Sequence, residues 1–275
     1  MANRRCFWIC SSVVVCVLVA ARICAPVYMH AVAIRALISN GWDVDVIDTR
    51  PKWVIDWFGD TGFHWFCRVW RVTALPDACN DCEAASRIRH IRWLGEVTSI
   101  DLDGLLVCDS HLSEIGGLSN VTSLRLANTS VTDSGLKWIG GFQQLILLNL
   151  SGTSVSGTGF IHLAECEQLT VLQLSDSKVS DAGLHDLRQF RRLEELYLGG
   201  TKITDAGIDA VSQLPALEAI GLEEVAISDE GVRKLGGMRS LKFISLVSTK
   251  VDDRCIGYGR NRRSGGLGSR PGKLG

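Results

Sequence analysis

The 275-residue chain has almost no net charge: 29 lysines and arginines face 30 aspartates and glutamates, for a formal charge of −1. Such a balance gives no bulk attraction to nucleic acid, and no nucleic-acid partner is expected. The sequence also lacks a Gly-rich phosphate loop, a nucleophile elbow and a paired metal motif. Its six histidines, His30, His64, His90, His111, His162 and His185, are scattered, and His162 and His185 fall on outer helical positions. With no constellation for acid–base, nucleophilic or cofactor chemistry, the expectation is no enzyme, no catalytic residue and no cofactor. Tryptophan is nearly missing from one part of the chain: of eight, only Trp138 lies beyond Val97. That break sets the stretch before Val97 apart as a different structural unit.

What is present is a period. Leucine recurs at Leu102, Leu126, Leu150, Leu174, Leu198, Leu222 and Leu246, each 24 residues after the last. Two residues before each stands Ile100, Leu124, Leu148, Leu172, Leu196, Ile220 or Ile244. Five before stands Val97, Val121, Leu145, Leu169, Leu193, Leu217 or Leu241. A fixed period of this length is the signature of a solenoid. The unit, L-x-x-L-x-L-x-x-T-x-V/I-S/T-D-x-G-L-x-x-L-x-x-L-x-x, is that of a leucine-rich repeat, with six full copies and a seventh that fails after Ile256. Its first half alternates and predicts a short strand; its second half places apolar residues three apart and predicts a short helix or 3₁₀ turn. The Thr132-Asp133, Ser180-Asp181, Thr204-Asp205 and Ser228-Asp229 pairs read as helix N-caps with an acid in the first turn. Gly135, Gly159, Gly183, Gly207 and Gly231 leave room for close backbone approach. Thr129, Thr153, Ser177, Thr201 and Thr249 supply a small hydroxyl to turn groups that burial would otherwise leave unpaired. The fold class expected is α/β, a leucine-rich repeat horseshoe with parallel strands on one face and short helices on the other, preceded by a membrane helix.

Residues 1–26 carry the membrane expectation. Arg4 and Arg5 precede the uncharged run Cys6–Ala21. As a helix it spans about 24 Å, short of the ~30 Å hydrocarbon core unless Arg22 snorkels and Ile23–Ala25 extend it. Three readings fit: a single-pass anchor, which the sequence favours, a cleaved signal peptide, and a buried soluble helix. The excess of positive charge before the run puts the N-terminus in the cytoplasm and the repeats outside it. Residues 27–68 read as a juxtamembrane helix over Val27–Ile38, a strand from Trp42, and a short helix over Pro51–Phe58. Residues 69–96 read as an irregular capping repeat of 28 residues, and residues 97–256 as the repeats. Residues 257–275, with seven glycines and no acid, read as a disordered Gly/Arg-rich tail.

On these residues the chain resembles the membrane-anchored leucine-rich repeat proteins of planctomycete bacteria. The likeness lies in Ala33-Ile34-Arg35-Ala36-Leu37-Ile38-Ser39-Asn40-Gly41, in Pro51-Lys52-Trp53, and in Thr204-Asp205-Ala206-Gly207-Ile208. The resemblance implies a membrane-tethered scaffold that binds a protein partner, and it implies no catalytic residues. The repeats are also similar to those of F-box-type proteins, although no F-box is present; a soluble intracellular adaptor of the substrate-receptor type is the alternative.

A partner site is expected on the outward positions of the strand face: Arg125, Asn149, Gln173, Glu195, Tyr197, Glu223 and Phe243. They form a mixed strip with one aromatic centre and an acidic patch toward its C-terminal end. Tyrosine is a common interface anchor. His64, Cys67, Cys79 and Cys82 have zinc-like spacing but form only a weak metal candidate, and no metal is expected. A disulfide among Cys67, Cys79 and Cys82 depends on an extracytoplasmic setting. Cys166 sits in a core slot by phase, and His111 occupies a slot otherwise held by glycine.

Overall fold

The computed structural model describes residues 29, 32–39, 42–48, 67–74, 87–94 and 96–249. Within them a single sheet runs in strict sequence order: β1 (Trp42–Asp48), β2 (Cys67–Ala74), β3 (Ser99–Asp101), β4 (Ser123–Arg125), β5 (Leu147–Asn149), β6 (Val171–Gln173), β7 (Glu195–Tyr197), β8 (Ala219–Gly221) and β9 (Phe243–Ser245). From β3 onward each strand pairs in parallel with the one 24 residues later, as in Ile100 with Leu124 and Leu196 with Ile220. The period of the leucines is thus the register of the sheet. Each strand's central residue is buried in β3 to β8 while the first residue faces outward, which is the alternation the sequence carries.

The ladder continues past each strand into a turn. Leu198 N–H donates to Gly221 O and Gly200 N–H to Glu223 O, both at 2.8 Å, and equivalent pairs recur along the stack. One residue of every turn is left-handed: Gly104, Asn128, Gly152, Asp176, Gly200, Glu224 and Ser248, with φ between 55° and 75°. Glycine, Asn and Asp suit that conformation; Glu224 and Ser248 adopt it at a cost. Four of these seven turns close on a buried hydroxyl, with Thr129, Thr153, Thr201 and Thr249 donating to the carbonyl three residues earlier at 2.6–2.8 Å, whereas Ser177 Oγ accepts the N–H of Val179 at 3.5 Å and Leu105 and Val225 hold the place in the other two.

The second halves form α-helices at Asp109–Ile115, Leu136–Ile139, Asp205–Val211 and Asp229–Gly236, and 3₁₀ turns at Phe160–Leu163 and Asp181–Gln189. Thr132, Thr204 and Ser228 cap as expected, accepting from the backbone N–H two residues on. Ser180 does not: its side chain makes no cap bond.

The aspartates following these caps act mainly between repeats. Asp109 accepts both the N–H and the hydroxyl of Thr132, at 2.8 and 2.6 Å. Asp133 does the same to Ser156 (2.9 and 2.7 Å) and also accepts from Gly157 and Gly159 N–H. Asp205 holds Ser228 in the same way. The repeat's glycine makes way for this carboxylate: a Cβ on Gly207 would stand 2.5 Å from Asp181 Oδ1, and Gly135 and Gly231 face the same collision with Asp109 and Asp205. Among the described residues the ladder is broken once. Where an aspartate belongs stands Gly157, at φ +100°, and a Cβ on it would stand 2.6 Å from Gly183 Cα.

The N-terminal edge of the stack is covered. β2 pairs parallel with β3 across 28 residues, Val72 against Ile100, and β1 closes it antiparallel with an irregularity between Asp45 and Val46. A helix over 32–38 adds Ala33, Ile34 and Leu37 to the same core as Val69, Val72, Ile88 and Ile91. The described part of this region therefore extends the solenoid and does not form a separate body. Among the described residues no helix is long and apolar enough to cross a membrane. The anchor expected in 1–26, the helix over Pro51–Phe58 and the tail at 257–275 lie outside them.

Candidate functional site on the sheet face

Parallel in-register pairing at about 4.8 Å per strand stacks equivalent side chains into columns. One column reads Asp101, Arg125, Asn149, Gln173, Tyr197, Gly221 and Ser245, and a flanking one Ser99, Ser123, Leu147, Val171, Glu195, Ala219 and Phe243.

Its centre is built on two glycines. Tyr197 O–H donates to Glu195 Oε2 at 2.9 Å, the two lying two residues apart on one face of β7. The tyrosine ring reaches over the next strand, where a Cβ on Gly221 would stand 2.9 Å from Tyr197 Cδ1. Glu223 Oε2 lies 3.0 Å from where a Cβ would sit on either Gly199 or Gly221. The glycines thus clear the ground for an aromatic ring between two carboxylates. Burial, the hydrogen bond to Glu195 and the charges of Glu195 and Glu223 all push the Tyr197 hydroxyl above its ordinary pKa, so it stays a neutral donor across physiological pH. Glu194 and Glu224 are exposed nearby, whereas Glu218 is paired with Lys242 at 2.6 Å.

The other expected residues divide. Arg125 is exposed but tethered, its Nε 3.0 Å from Asp103 Oδ2 and 3.5 Å from Asp101 Oδ2. Asn149 differs from the outward position expected of it: it is buried, and its Oδ1 accepts the N–H of Ser151 at 3.0 Å, which turns the carboxamide onto the following turn. Gln173 is half-buried on the face, and Phe243 is exposed on β9, where Ile244 and Leu246 are only partly covered. The sequence reading passes over Asp103, the residue that clamps Arg125. Its signal was available, because Asp103 and Glu223 hold the same position of the unit. A shallow depression lined by Thr122, Gln143, Gln144, Ile146 and Gln168 opens beside β4 and β5, away from Tyr197.

His64, Cys79 and Cys82 lie outside the described residues, and for Cys67 only the backbone of β2 is described. Among the described residues no group of three or more His, Cys, Asp or Glu is placed to hold a metal ion. Cys166 is buried, and desolvation followed by the charge of Glu165 pushes its thiol up to about 11.

The family model described as Leucine Rich repeat matches residues 191–212, a stretch that contains β7, the Thr204 cap and the helix Asp205–Val211. The matched stretch is similar to a leucine-rich repeat. Its 24-residue register runs from β3 to β9, so the same unit recurs well beyond the matched stretch. Among solved structures, an internalin C2 from Listeria monocytogenes is similar at 21% identity and a TM-score of 0.47, covering 65% of this chain and 81% of that one. A plant peptide hormone receptor, RGFR1, in complex with RGF2 is similar at 18% identity and a TM-score of 0.41, covering 62% of this chain and 28% of that one. No curated protein matches the chain.

Proposed function

We propose that the chain is a membrane-tethered leucine-rich repeat scaffold that binds a protein partner on its sheet face, with Tyr197 as anchor and Glu195 and Glu223 as charged contacts. The observation that carries this is the placement of Tyr197. A large amphipathic side chain is held by Glu195 over Gly221, so its ring loses little freedom when a partner covers it. The columns beside it, from Arg125 and Gln173 to Phe243, offer polar and apolar contacts to a segment laid across the strands.

Tethering rests on sequence alone: Arg4 and Arg5 before the uncharged run Cys6–Ala21, and the resemblance to planctomycete membrane-anchored proteins. In this arrangement the N-terminus is cytoplasmic and the repeats lie outside. Crosslinking of the native protein followed by mass spectrometry tests the site. Crosslinks concentrated on β4 to β9, and lost on Tyr197→Ala with Glu195→Ala, support it; crosslinks confined to the helical side overturn it. Membrane fractionation with protease protection tests the tether separately, since repeats recovered in the soluble fraction would rule it out.

A further inference from the structure

Two departures from the repeat pattern meet in space. At the helix cap, where later repeats place Thr132, Ser156, Ser180, Thr204 and Ser228, the first repeat places Cys108. Three residues on, where they place glycine, it places His111. Cys108 Sγ lies 3.1 Å from His111 Nδ1. The backbone N–H of Cys108 donates to the same Nδ1 at 3.1 Å.

That second bond decides the proton positions. A ring nitrogen that accepts an N–H carries its lone pair, so the neutral imidazole is protonated on Nε2. Sγ lies beside the same lone pair, so the S–H shares it with the backbone N–H in a three-centre contact, and the thiol hydrogen has a base within reach. Ser110 Oγ stands 3.2 Å from Sγ, placed to donate to the sulfur as negative charge develops there. Asp109 is turned away onto Thr132, so its carboxylate does not occupy the imidazole. Cys108 is partly exposed, unlike buried Cys166. A nucleophile within hydrogen-bond reach of a base is the pair that nucleophilic chemistry uses, and here the backbone N–H of Cys108 itself fixes the ring.

We propose that Cys108 is a modification site, a thiol that exchanges with small disulfides while His111 receives its proton. In the step, Sγ attacks one sulfur of the disulfide, a new S–S bond forms and the old one breaks. The departing thiolate takes up the proton held by the imidazole, so a thiol and a disulfide become a mixed disulfide and a thiol. No outside oxidant is consumed.

The test uses the full chain and oxidised glutathione, with the mixed disulfide at each cysteine followed by peptide mass mapping. Three variants are informative. His111→Gly restores the residue the later repeats use; His111→Gln keeps an oxygen to accept the Cys108 N–H but removes the base; Cys108→Ser restores the usual hydroxyl and should give no adduct on that peptide. The proposal expects Cys108 to be captured at least about tenfold faster than Cys166, and both His111 variants to slow that capture by about tenfold or more. Capture of Cys108 no faster than that of Cys166 would overturn it. So would an unchanged rate in either His111 variant whose thermal unfolding matches wild type, since the imidazole would then serve only as a cap.

Discussion

Asp181 holds Thr204 twice, accepting its backbone N–H through one carboxylate oxygen and its hydroxyl through the other, both at 2.7 Å. The two residues belong to successive repeats. The bond therefore couples neighbours, and in a solenoid such coupling sets cooperativity.

Removing either partner should cost the shared interaction. Asp181→Ala and Thr204→Ala should each destabilise by about 1 kcal/mol, and the double variant by less than the sum. Urea unfolding of the four proteins checks this; strict additivity would mean that the pair contributes no coupling.

Gly207 should respond against the usual helix rule. In a helix, Gly→Ala ordinarily stabilises by roughly 0.5–1 kcal/mol. Here the new Cβ meets Asp181 Oδ1 at 2.5 Å, so Gly207→Ala should destabilise by about 1–3 kcal/mol. In an Asp181→Ala background the carboxylate is gone and only the movable Leu184 Cδ1, at 3.0 Å, still meets the Cβ, so most of that cost should vanish, as thermal unfolding of both pairs would show.

Acid should loosen the same ladder. Burial alone raises the Asp133 pKa, but bonds from Ser156 N–H and hydroxyl and from Gly159 and Gly157 N–H outweigh it, and the carboxyl sits below its ordinary value. Asp205 is lowered likewise, with desolvation outweighed by Ser228, Lys234 and Gly231. A folded pKa below the unfolded one, near ~3.9, gives stability that is complete above that value and lost as pH falls through the folded pKa. Melting temperature should therefore drop more steeply below about pH 4 in wild type than in Asp133→Asn. Parallel pH profiles would contradict the assignment.

Glu224 holds a left-handed backbone with φ 57°, a conformation that penalises a Cβ. Glu224→Gly should stabilise the fold by about 1 kcal/mol, and chemical denaturation reads the gain directly.

Much of this could be read from the leucines, because one period fixes both which residues are buried and which strands pair. Ile100, Leu124 and Leu148 needed no more than their spacing. Asp181 and Asp205 were harder. Local reasoning assigns such an acid to the helix it begins, whereas its main partner lies 23 residues away. The left-handed column was visible at Gly104, Asn128, Gly152, Asp176 and Gly200 but masked by Glu224 and Ser248. On the sheet face, the two-residue spacing of Glu195 and Tyr197 puts their side chains within hydrogen-bond reach. Phase did not foresee that Asn149 would turn inward, since a carboxamide's choice between solvent and a neighbouring N–H leaves no periodic trace.

The gap in the aspartate ladder at Gly157 has a mechanical meaning. The seams bridged by Asp109, Asp133, Asp181 and Asp205 are each pinned on both edges, by strand ladder and by carboxylate. The seam between Gly157 and Gly183 has backbone against backbone in that place, with Gln189 reaching the Phe160 carbonyl at 2.7 Å. Stretched between its ends, the solenoid should yield there first, as a spring parts at its thinnest coil, leaving two stiff segments joined by a compliant one.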